Sequence, residues 1–312
     1  MQLVEIDADG AGQRVDNFLL RVLKGVPRSR IYRLLRKGEV RVNGGRVGPD
    51  RKLTAGDKVR IPPVRTGTVS PTAPSAGLLQ TLRDAITFED ERILVVNKPA
   101  GLAVHGGSGI SAGLIETLRQ LLPEERSLEL IHRLDRDTSG CVMVAKRRSA
   151  LRLLQAQLRE KTGLAKFYLV VVHGRWVDGA RSRIDLPLTR NLLRSGERIS
   201  RVAVDGKPST TLIRVLATSD SLSLLEAQPI TGRTHQIRVH CAASGFPVVG
   251  DQKYGVPDRD RVLPGGVPRM MLHARRLVIP SWEEGGPAIE IEAGLDAAYV
   301  GFLSKNGLDR KL

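Results

Sequence analysis

Two amphipathic helices followed by short strands are predicted at the start of the chain by the spacing of its apolar residues. The first helix lies within residues 14–24, where helical spacing is kept by Val15, Phe18, Leu19, Val22 and Leu23. The second begins after Pro27 and ends at Gly38, and its buried stripe consists of Ile31, Leu34 and Leu35. Strands are predicted at 39–42, 46–47 and 58–61, and the Asn43-Gly44 pair favours a hairpin between the first two.

A change of composition separates this unit from the rest of the chain. Residues 65–77 consist mostly of Gly, Ser, Thr and Pro and contain almost no bulky apolar side chain. Such a segment buries too little surface to offset its ordering entropy, which is typical of a linker. We therefore predict a first domain at residues 1–64, a linker at 65–80 and a second domain at 81–312.

Within the second domain, apolar runs predict buried strands at 93–96 and 141–145. Residues 235–244 are predicted as a helix, with Thr234 as its N-cap and Gly245 as its C-terminal stop. A strand is the alternative for the same residues. In both cases Ile237 and Cys241 face the core, and Arg238 lies on the more polar side.

The distribution of charge along the chain indicates a polyanionic partner. The chain has a formal net charge of +16, and residues 1–65 hold 15 Lys and Arg against 7 Asp and Glu. Residues 28–41 alone carry six basic side chains and one acid. A helix with charges of one sign repels itself unless a polyanion neutralises it, which favours RNA contact over a merely solvated basic surface. The predicted RNA-binding residues are Arg28, Arg30, Arg33, Arg36, Lys37 and Arg41.

Several classes of protein are disfavoured by what the sequence lacks. No apolar run approaches the roughly 18–20 residues of a membrane span, and the first residues do not resemble a secretory signal. Two cysteines, a hundred residues apart, and six histidines without a metal-binding spacing favour neither a disulfide scaffold nor a metal site. We therefore expect a cytoplasmic protein without a metal, most simply a monomer with no obligate protein partner.

The densest group of chemically active side chains lies in residues 132–140, His-Arg-Leu-Asp-Arg-Asp-Thr-Ser-Gly. Two carboxylates, two arginines and a histidine stand in a turn-like stretch that leads into a predicted strand, where catalytic groups are often placed. The alternative is a turn in which Asp137, Thr138 and Ser139 satisfy backbone donors. We prefer that structural role for Asp137 and a catalytic role for Asp135.

These nine residues resemble the central motif of the RluA-type pseudouridine synthases. The resemblance extends to Lys166–Gly174, Gly206–Thr211, Pro229–His240 and Gly250–Gly255, while residues 13–19 and 27–43 resemble an S4 RNA-binding domain. The segments 104–109 and 193–198 are similar to members of the family that modify large-subunit ribosomal RNA. The resemblance implies an α+β fold, with a small S4-like RNA-binding domain and a catalytic domain whose sheet is mixed and mostly antiparallel.

The resemblance also implies a role for each site residue. Asp135 is the catalytic carboxylate, acting as nucleophile or as base, and Arg238 is its ion-pair partner. The ring of Tyr168 stacks on the everted uracil, although core packing is its simpler interpretation. We expect Arg233 to bind phosphate, and Arg133 and His132 to hold the site or the flipped strand. Isomerisation of uridine involves no redox step and loses no group, so no cofactor is expected.

Two other classes of function compete with this one. An RNA-binding ribosome assembly factor could keep the fold without catalysis, but binding alone does not require Asp135, Tyr168 and Arg238. A glycoside hydrolase could use Asp135 and Asp137 as its two carboxylates. Two residues apart on an extended chain, these side chains face opposite sides, which is unfavourable for attack on one glycosidic bond.

Overall fold

The chain forms two compact units, residues 1–73 and residues 74–312, in a computed structural model. The structure describes residues 1–8, 10–23, 26, 28–64, 74–106, 112–125, 127–177, 181–192, 198–283 and 285–309. Most of the predicted linker, at 65–73, therefore lies outside the described residues. So do 107–109 and 193–197 from the two segments that resemble modifiers of ribosomal RNA, and the side chain of Arg28.

The first unit packs two helices against a small antiparallel sheet. Its elements are β1 (Gln2–Glu5), α1 (Val15–Val22), α2 (Arg28–Arg36), β2 (Arg41–Val42), β3 (Gly45–Arg46) and β4 (Lys58–Ile61). The sheet order is β1-β4-β2-β3, and the predicted helical stripes supply the core, in which Phe18, Leu19 and Ile31 are buried. Asn43 and Gly44 both have positive φ, as the tight turn between β2 and β3 requires.

The strand predicted at 39–42 is shorter than expected, because residue 39 is used to end α2. The Glu39 N–H donates to the Leu34 carbonyl at 3.0 Å, and the Gly38 N–H donates to the Leu35 carbonyl at 2.9 Å. Gly38 lies in the left-handed region, with φ of +69°, as this type of helix end requires. Pairing in β2 therefore starts only at Arg41.

The second unit is built on one large sheet. Its elements are α3 (Ala76–Asp84), β5 (Ile86–Glu89), β6 (Ile93–Lys98), α4 (Leu114–Leu121), β7 (Glu129–Leu130), β8 (Ser139–Ala145), α5 (Arg148–Glu160), β9 (Ala165–His173), β10 (Arg181–Asp185), β11 (Leu188–Leu192), β12 (Arg198–Val202), β13 (Thr210–Thr218), β14 (Leu222–Pro229), α6 (Gln236–Ala243), α7 (Pro257–Arg261), β15 (Leu272–Ile279), β16 (Ile289–Glu292) and α8 (Ala297–Lys305). Helix α3 begins inside the segment 65–80 that the sequence assigned to a linker, because the Ser75 hydroxyl accepts the Leu78 N–H.

The large sheet runs β10-β13-β14-β9-β15-β8-β6-β5, with β16 beside β15 and β7 beside β8. Every pairing in it is antiparallel except that of β15 with β8, so the predicted α+β class with a mixed, mostly antiparallel sheet is confirmed. The central strands are covered on both faces, since Val170 and Val172 belong to one apolar cluster and Val171 to another. Strands β11 and β12 form a separate hairpin.

A close contact fixes where β8 begins. Gly140 lies opposite Ala274 in the short parallel pairing of β8 with β15. Its φ is +107°, and a Cβ at this position would lie 2.2 Å from the Ala274 carbonyl oxygen. Only glycine allows this approach. The contact anchors the C-terminal end of the loop at residues 131–138, which contains the central motif.

Candidate active site

A cavity of about 730 Å³ opens between the loop at 131–138, the first residues of β9, the end of β14 and the start of α6. Its volume is within the range of pockets that hold small ligands. The structure brings together at this cavity all six residues that the sequence assigned to the site: His132, Arg133, Asp135, Tyr168, Arg233 and Arg238.

Asp135 is held by a guanidinium that is itself held by a second carboxylate. Arg238 Nη1 donates to Asp135 Oδ2 at 3.0 Å, while its Nε and Nη2 donate to the two oxygens of Asp251, both at 2.6 Å. The side chain of Asp251 is fully buried, that of Arg238 is 6% exposed, and that of Asp135 is 22% exposed. Only Asp135 of the two carboxylates therefore reaches the cavity.

Ion pairing outweighs burial in its effect on the pKa values of Arg238 and Asp251. Burial alone would lower the pKa of Arg238, but its bonds to Asp251 and Asp135 raise that pKa above its ordinary value. Burial would raise the pKa of Asp251, but Arg238 and the N–H groups of Lys253 and Tyr254 lower it. Arg238 and Asp251 are therefore both ionised, and the guanidinium cannot follow Asp135 if that side chain moves.

A second contact to Asp135 comes from His235. Its Nε2 lies 3.7 Å from Asp135 Oδ1, and its Nδ1 lies 2.7 Å from the Tyr254 hydroxyl. That hydroxyl accepts the Ser200 N–H at 2.8 Å, which leaves its own hydrogen for Nδ1. Burial lowers the pKa of His235. The ring is therefore neutral at neutral pH, with its proton on Nε2 facing Asp135.

The start of α6 differs from the sequence prediction. The N-cap is His235, in the left-handed region with φ of 55°, and it makes no side-chain capping bond. The prediction of Thr234 as N-cap is therefore wrong. Instead Gln236 Oε1 accepts from the Thr231 hydroxyl at 2.6 Å and from the Arg233 N–H at 3.1 Å, which ties the turn to the helix by a different route.

A buried lysine organises the other side of the loop that carries Asp135. Lys98, at the end of β6, is 0% exposed, and its Nζ donates to the carbonyls of Pro99, Leu102 and Arg136 at 2.8–2.9 Å. Burial lowers its pKa to about 7, against the opposing effect of Asp137 and Asp135. Lys98 thus joins two loops next to the cavity.

The remaining predicted residues line the cavity in different ways. Tyr168 is 8% exposed, and burial together with the charge of Asp135 raises the pKa of its phenol, which stays protonated. His132 Nε2 accepts the Met143 N–H at 3.1 Å, and burial lowers the pKa of this ring to about 3. Arg133 is exposed, and so is Arg233, which donates to the Pro208 carbonyl at 3.3 Å.

The neighbouring carboxylate is placed differently. Asp137 does not line the cavity, its side chain is 53% exposed, and it pairs with Arg136 at 3.4 Å. The two aspartates of the central motif therefore do not face one ligand, which removes the geometry that a hydrolase would need. Among the described residues its carboxylate accepts from Arg136 and from no backbone N–H, so the structural role preferred for Asp137 stays a prediction.

In the first unit, the predicted RNA-binding side chains form an exposed basic face. Arg30, Arg33, Arg36 and Lys37 are exposed on and just after α2, and none has an ion pair among the described residues. Arg41 is half-buried and donates to the Gly44 carbonyl at 3.1 Å. This face, called the α2 basic face below, is open to an anionic partner.

Two further searches concern only the described part of the chain. There, no three His, Cys, Asp or Glu side chains come together as ligands for a metal ion. No helix in the same residues combines the length and the apolar character that crossing a membrane requires.

The fold and the cavity define a class of enzyme, which comparison with known proteins identifies. Residues 92–243 match the RNA pseudouridylate synthases, and residues 13–59 match the S4 domain. The chain belongs to the RNA pseudouridylate synthase family, a class of isomerases, and carries an S4 domain. The resemblance seen in the sequence is confirmed.

The relatives include two bacterial proteins named ribosomal large subunit pseudouridine synthase C. The one from Escherichia coli K12 is 52% identical over 310 residues, which are 98% of this chain and 96% of the relative. The one from Yersinia pestis is 52% identical over 95% of this chain and 92% of the relative. Among solved structures, human RNA pseudouridylate synthase domain containing 4 matches with a TM-score of 0.61 and 25% identity, over 76% of this chain and 98% of its own.

Sequence reasoning assigned no role to four residues that shape the site. Asp251 and Tyr254 lie in a turn that the sequence marks only by its resemblance to a family motif, and no local pattern distinguishes His235, which lies between Arg233 and Arg238. Lys98 precedes a Pro-Ala-Gly turn that ends a buried strand. A lysine at the end of an apolar strand was a usable signal, because a buried ammonium has to find acceptors nearby.

Proposed function

We propose that this protein converts specific uridines of large-subunit ribosomal RNA to pseudouridine, with Asp135 as the catalytic carboxylate. One observation carries the proposal: Arg238 orients the Asp135 carboxylate at a cavity that also contains the ring of Tyr168. The names of the relatives, at 52% identity over nearly the whole chain, support large-subunit ribosomal RNA as the substrate.

The reaction breaks the bond between C1′ of the ribose and N1 of the base, turns the base, and joins C1′ to C5. The hydrogen of C5 is lost and N1 gains one, so the product is an isomer of the substrate. Positive character develops at C1′ when the first bond breaks, and an ionised carboxylate stabilises it or bonds to it. Arg238 supports this role because its Nη1 donates to Oδ2 of Asp135 and so fixes the position of the carboxylate at the cavity.

The other cavity residues act on the nucleotide that is turned out of the RNA. Extruding it costs a few kcal/mol of lost stacking, which an aromatic platform offsets in part. The ring of Tyr168 supplies that platform, and its protonated phenol adds no negative charge next to Asp135. Arg133 and His132 hold the site or the flipped strand, and the exposed guanidinium of Arg233 contacts phosphate.

The α2 basic face docks on ribosomal RNA, mainly through phosphates, so its binding depends on salt and on RNA shape. A ribosomal substrate places the enzyme in the cytoplasm. It acts as a monomer without an obligate protein partner. It needs no cofactor, because the isomerisation transfers no electrons and no group to another molecule.

The test uses Asp135→Asn beside wild type and Asp137→Asn, each incubated with unmodified large-subunit ribosomal RNA, followed by mapping of pseudouridine. Asp137→Asn is a matched control because it lies two residues away and outside the cavity. We expect wild type and the control to form pseudouridine and Asp135→Asn to form none while it still binds RNA. Binding without modification by wild type would instead support an assembly factor, and release of free uracil would support a hydrolase.

A further inference from the structure

Lys166 occupies a gap in the sheet next to Tyr168. Strand β14 pairs with β9 only from Tyr168 onward, so at Lys166 the β14 side of β9 has no strand partner. The other side is occupied, since Lys166 is in register with Leu277 of β15. Lys166 lines the cavity, and its position two residues from Tyr168 places both side chains on the same face of β9.

The intervening residue confirms which face this is. Phe167 points to the opposite side of β9, where the guanidinium carbon of Arg276 lies 4.1 Å from the centre of its ring. Alternation along the strand therefore turns Lys166 and Tyr168 towards the cavity. Two residues of a strand span about 7 Å, which is within the reach of a single nucleotide.

The ammonium of Lys166 is partly desolvated without a partner inside the protein. The residue is half-buried, and burial lowers the pKa of its amine. Within the described ranges, no carboxylate or hydrogen-bond acceptor contacts it. The two buried lysines among the described residues are satisfied: Lys98 has three carbonyls, and Lys146 lies 2.6 Å from Glu89 and 3.0 Å from Glu125. An unpaired ammonium in a cavity is unfavourable unless a ligand supplies a negative charge or hydrogen-bond acceptors for it.

We propose that Lys166 is a phosphate-binding residue, which contacts one of the two phosphodiester groups that flank the nucleoside stacked on Tyr168. This inference rests on the proposed function. A phosphate brought close to the carboxylate of Asp135 would be repelled, and a cation beside it removes that repulsion. The cost of desolvating the ammonium in the free enzyme is then recovered when RNA enters the cavity.

The test uses a short RNA in which wild type forms pseudouridine and two versions of it, with a neutral methylphosphonate in place of the phosphate on the 5′ or the 3′ side of the target uridine. We expect wild type to bind one of these two about tenfold more weakly than the unmodified RNA. Lys166→Met should bind the unmodified RNA about tenfold more weakly, with a salt slope lower by about 1, and lose nothing further on the methylphosphonate RNA.

Two other variants make the result specific. Lys166→Arg keeps the charge and should regain most of the affinity and the sensitivity to the methylphosphonate. Lys305→Met, on the exposed side of α8 and away from the cavity, should behave as wild type. Equal losses on methylphosphonate RNA in wild type and Lys166→Met would overturn the proposal, as would wild type that tolerates both neutral linkages.

Failure of the proposed function would look different. Wild type would then leave the unmodified RNA without pseudouridine, before any variant or neutral linkage is compared. If Lys166→Met does not fold, the two methylphosphonate RNAs with wild type and Lys166→Arg still decide the question. In that case, insensitivity of both proteins to the 5′ and the 3′ substitution would overturn the proposal.

Discussion

Arginine side chains have opposite roles in the α2 basic face and in the charged group around Asp135. Arg30, Arg33 and Arg36 are exposed and have no ion pair among the described residues. Arg238, in contrast, is buried and is bonded to two carboxylates at 2.6–3.0 Å. The first arrangement leaves positive charge available to a partner. In the second, the charge of Arg238 is paired within the protein and holds Asp135 in position.

This difference determines how each region should respond to mutation. Exposed charges contribute to RNA binding separately, so each loss should be small, roughly additive and sensitive to salt. The buried group acts as one unit, since removing either aspartate leaves Arg238 with one carboxylate instead of two, and removing Arg238 leaves both carboxylates without it. Variants in the two regions can therefore test whether binding and catalysis are separate properties of this chain.

Among residues that do not line the cavity, the largest effect is expected from a change at Asp251. Asp251→Asn keeps the shape of the side chain but leaves Arg238 with one carboxylate instead of two. We expect pseudouridine formation under single-turnover conditions to fall about 100-fold, because Asp135 is no longer held in one position. The free energy of unfolding should fall by about 3 kcal/mol.

RNA affinity is the control for this variant, because Asp251 is far in sequence from the α2 basic face and fully buried. Binding of full-length RNA by Asp251→Asn should stay within about twofold of wild type. A parallel loss of binding and turnover would contradict the separation of the two regions.

Lys98 is a third kind of charged site, a buried cation that is bonded to carbonyls rather than to carboxylates. Lys98→Met removes three hydrogen bonds and leaves their acceptors buried, so the free energy of unfolding should fall by about 2 kcal/mol at pH 7. Between pH 7 and the ordinary lysine pKa of 10.5, the unfolded chain binds a proton that the folded protein has released. Wild type should therefore gain stability with rising pH relative to Lys98→Met, by up to about 1.4 kcal/mol per pH unit.

Denaturant unfolding of both proteins at pH 7, 8 and 9 measures that slope. Titrations of all other groups are common to the two proteins and cancel in the difference. A difference that does not change with pH would show that Lys98 stays charged throughout this range, with the three carbonyls compensating its burial.

The smallest effect is expected on the α2 basic face. Arg30→Glu combined with Arg33→Glu should weaken binding of full-length RNA about tenfold and make its salt dependence shallower. Turnover on a short stem-loop should be nearly unchanged. The matched control is Arg83→Glu with Lys305→Glu, which changes the net charge equally on exposed helices of the other unit. Equal losses on both substrates would contradict a docking role for the α2 basic face.

The parts of the fold that local spacing determines were predictable from the sequence. Helices α1 and α2 and strand β4 lie where the apolar pattern placed them, because each presents one apolar face to a small core. The end of α2 at Gly38 and the turn at Asn43 follow from backbone conformations that few residues adopt. These features depend on neighbours within a few residues.

The site was predictable only in part, because its contacts join distant segments. Arg238 lies 103 residues from Asp135 along the chain, and only the resemblance to a family paired them. The position of His235 depends on bonds that Gln236 makes to Thr231 and to the Arg233 backbone, which outweigh the capping preference of a threonine. Periodicity contains no information on such contacts.

The sharing of Arg238 between Asp135 and Asp251 has a consequence for evolution. Replacing any one of the three by a neutral residue removes at least one of the two ion pairs, so intermediates on the way to a different arrangement would be inactive or unstable. The three residues should therefore be inherited together across descendants of this lineage, while the cations of α2 drift in number and place. Libraries for directed evolution should leave the first set untouched and randomise the second.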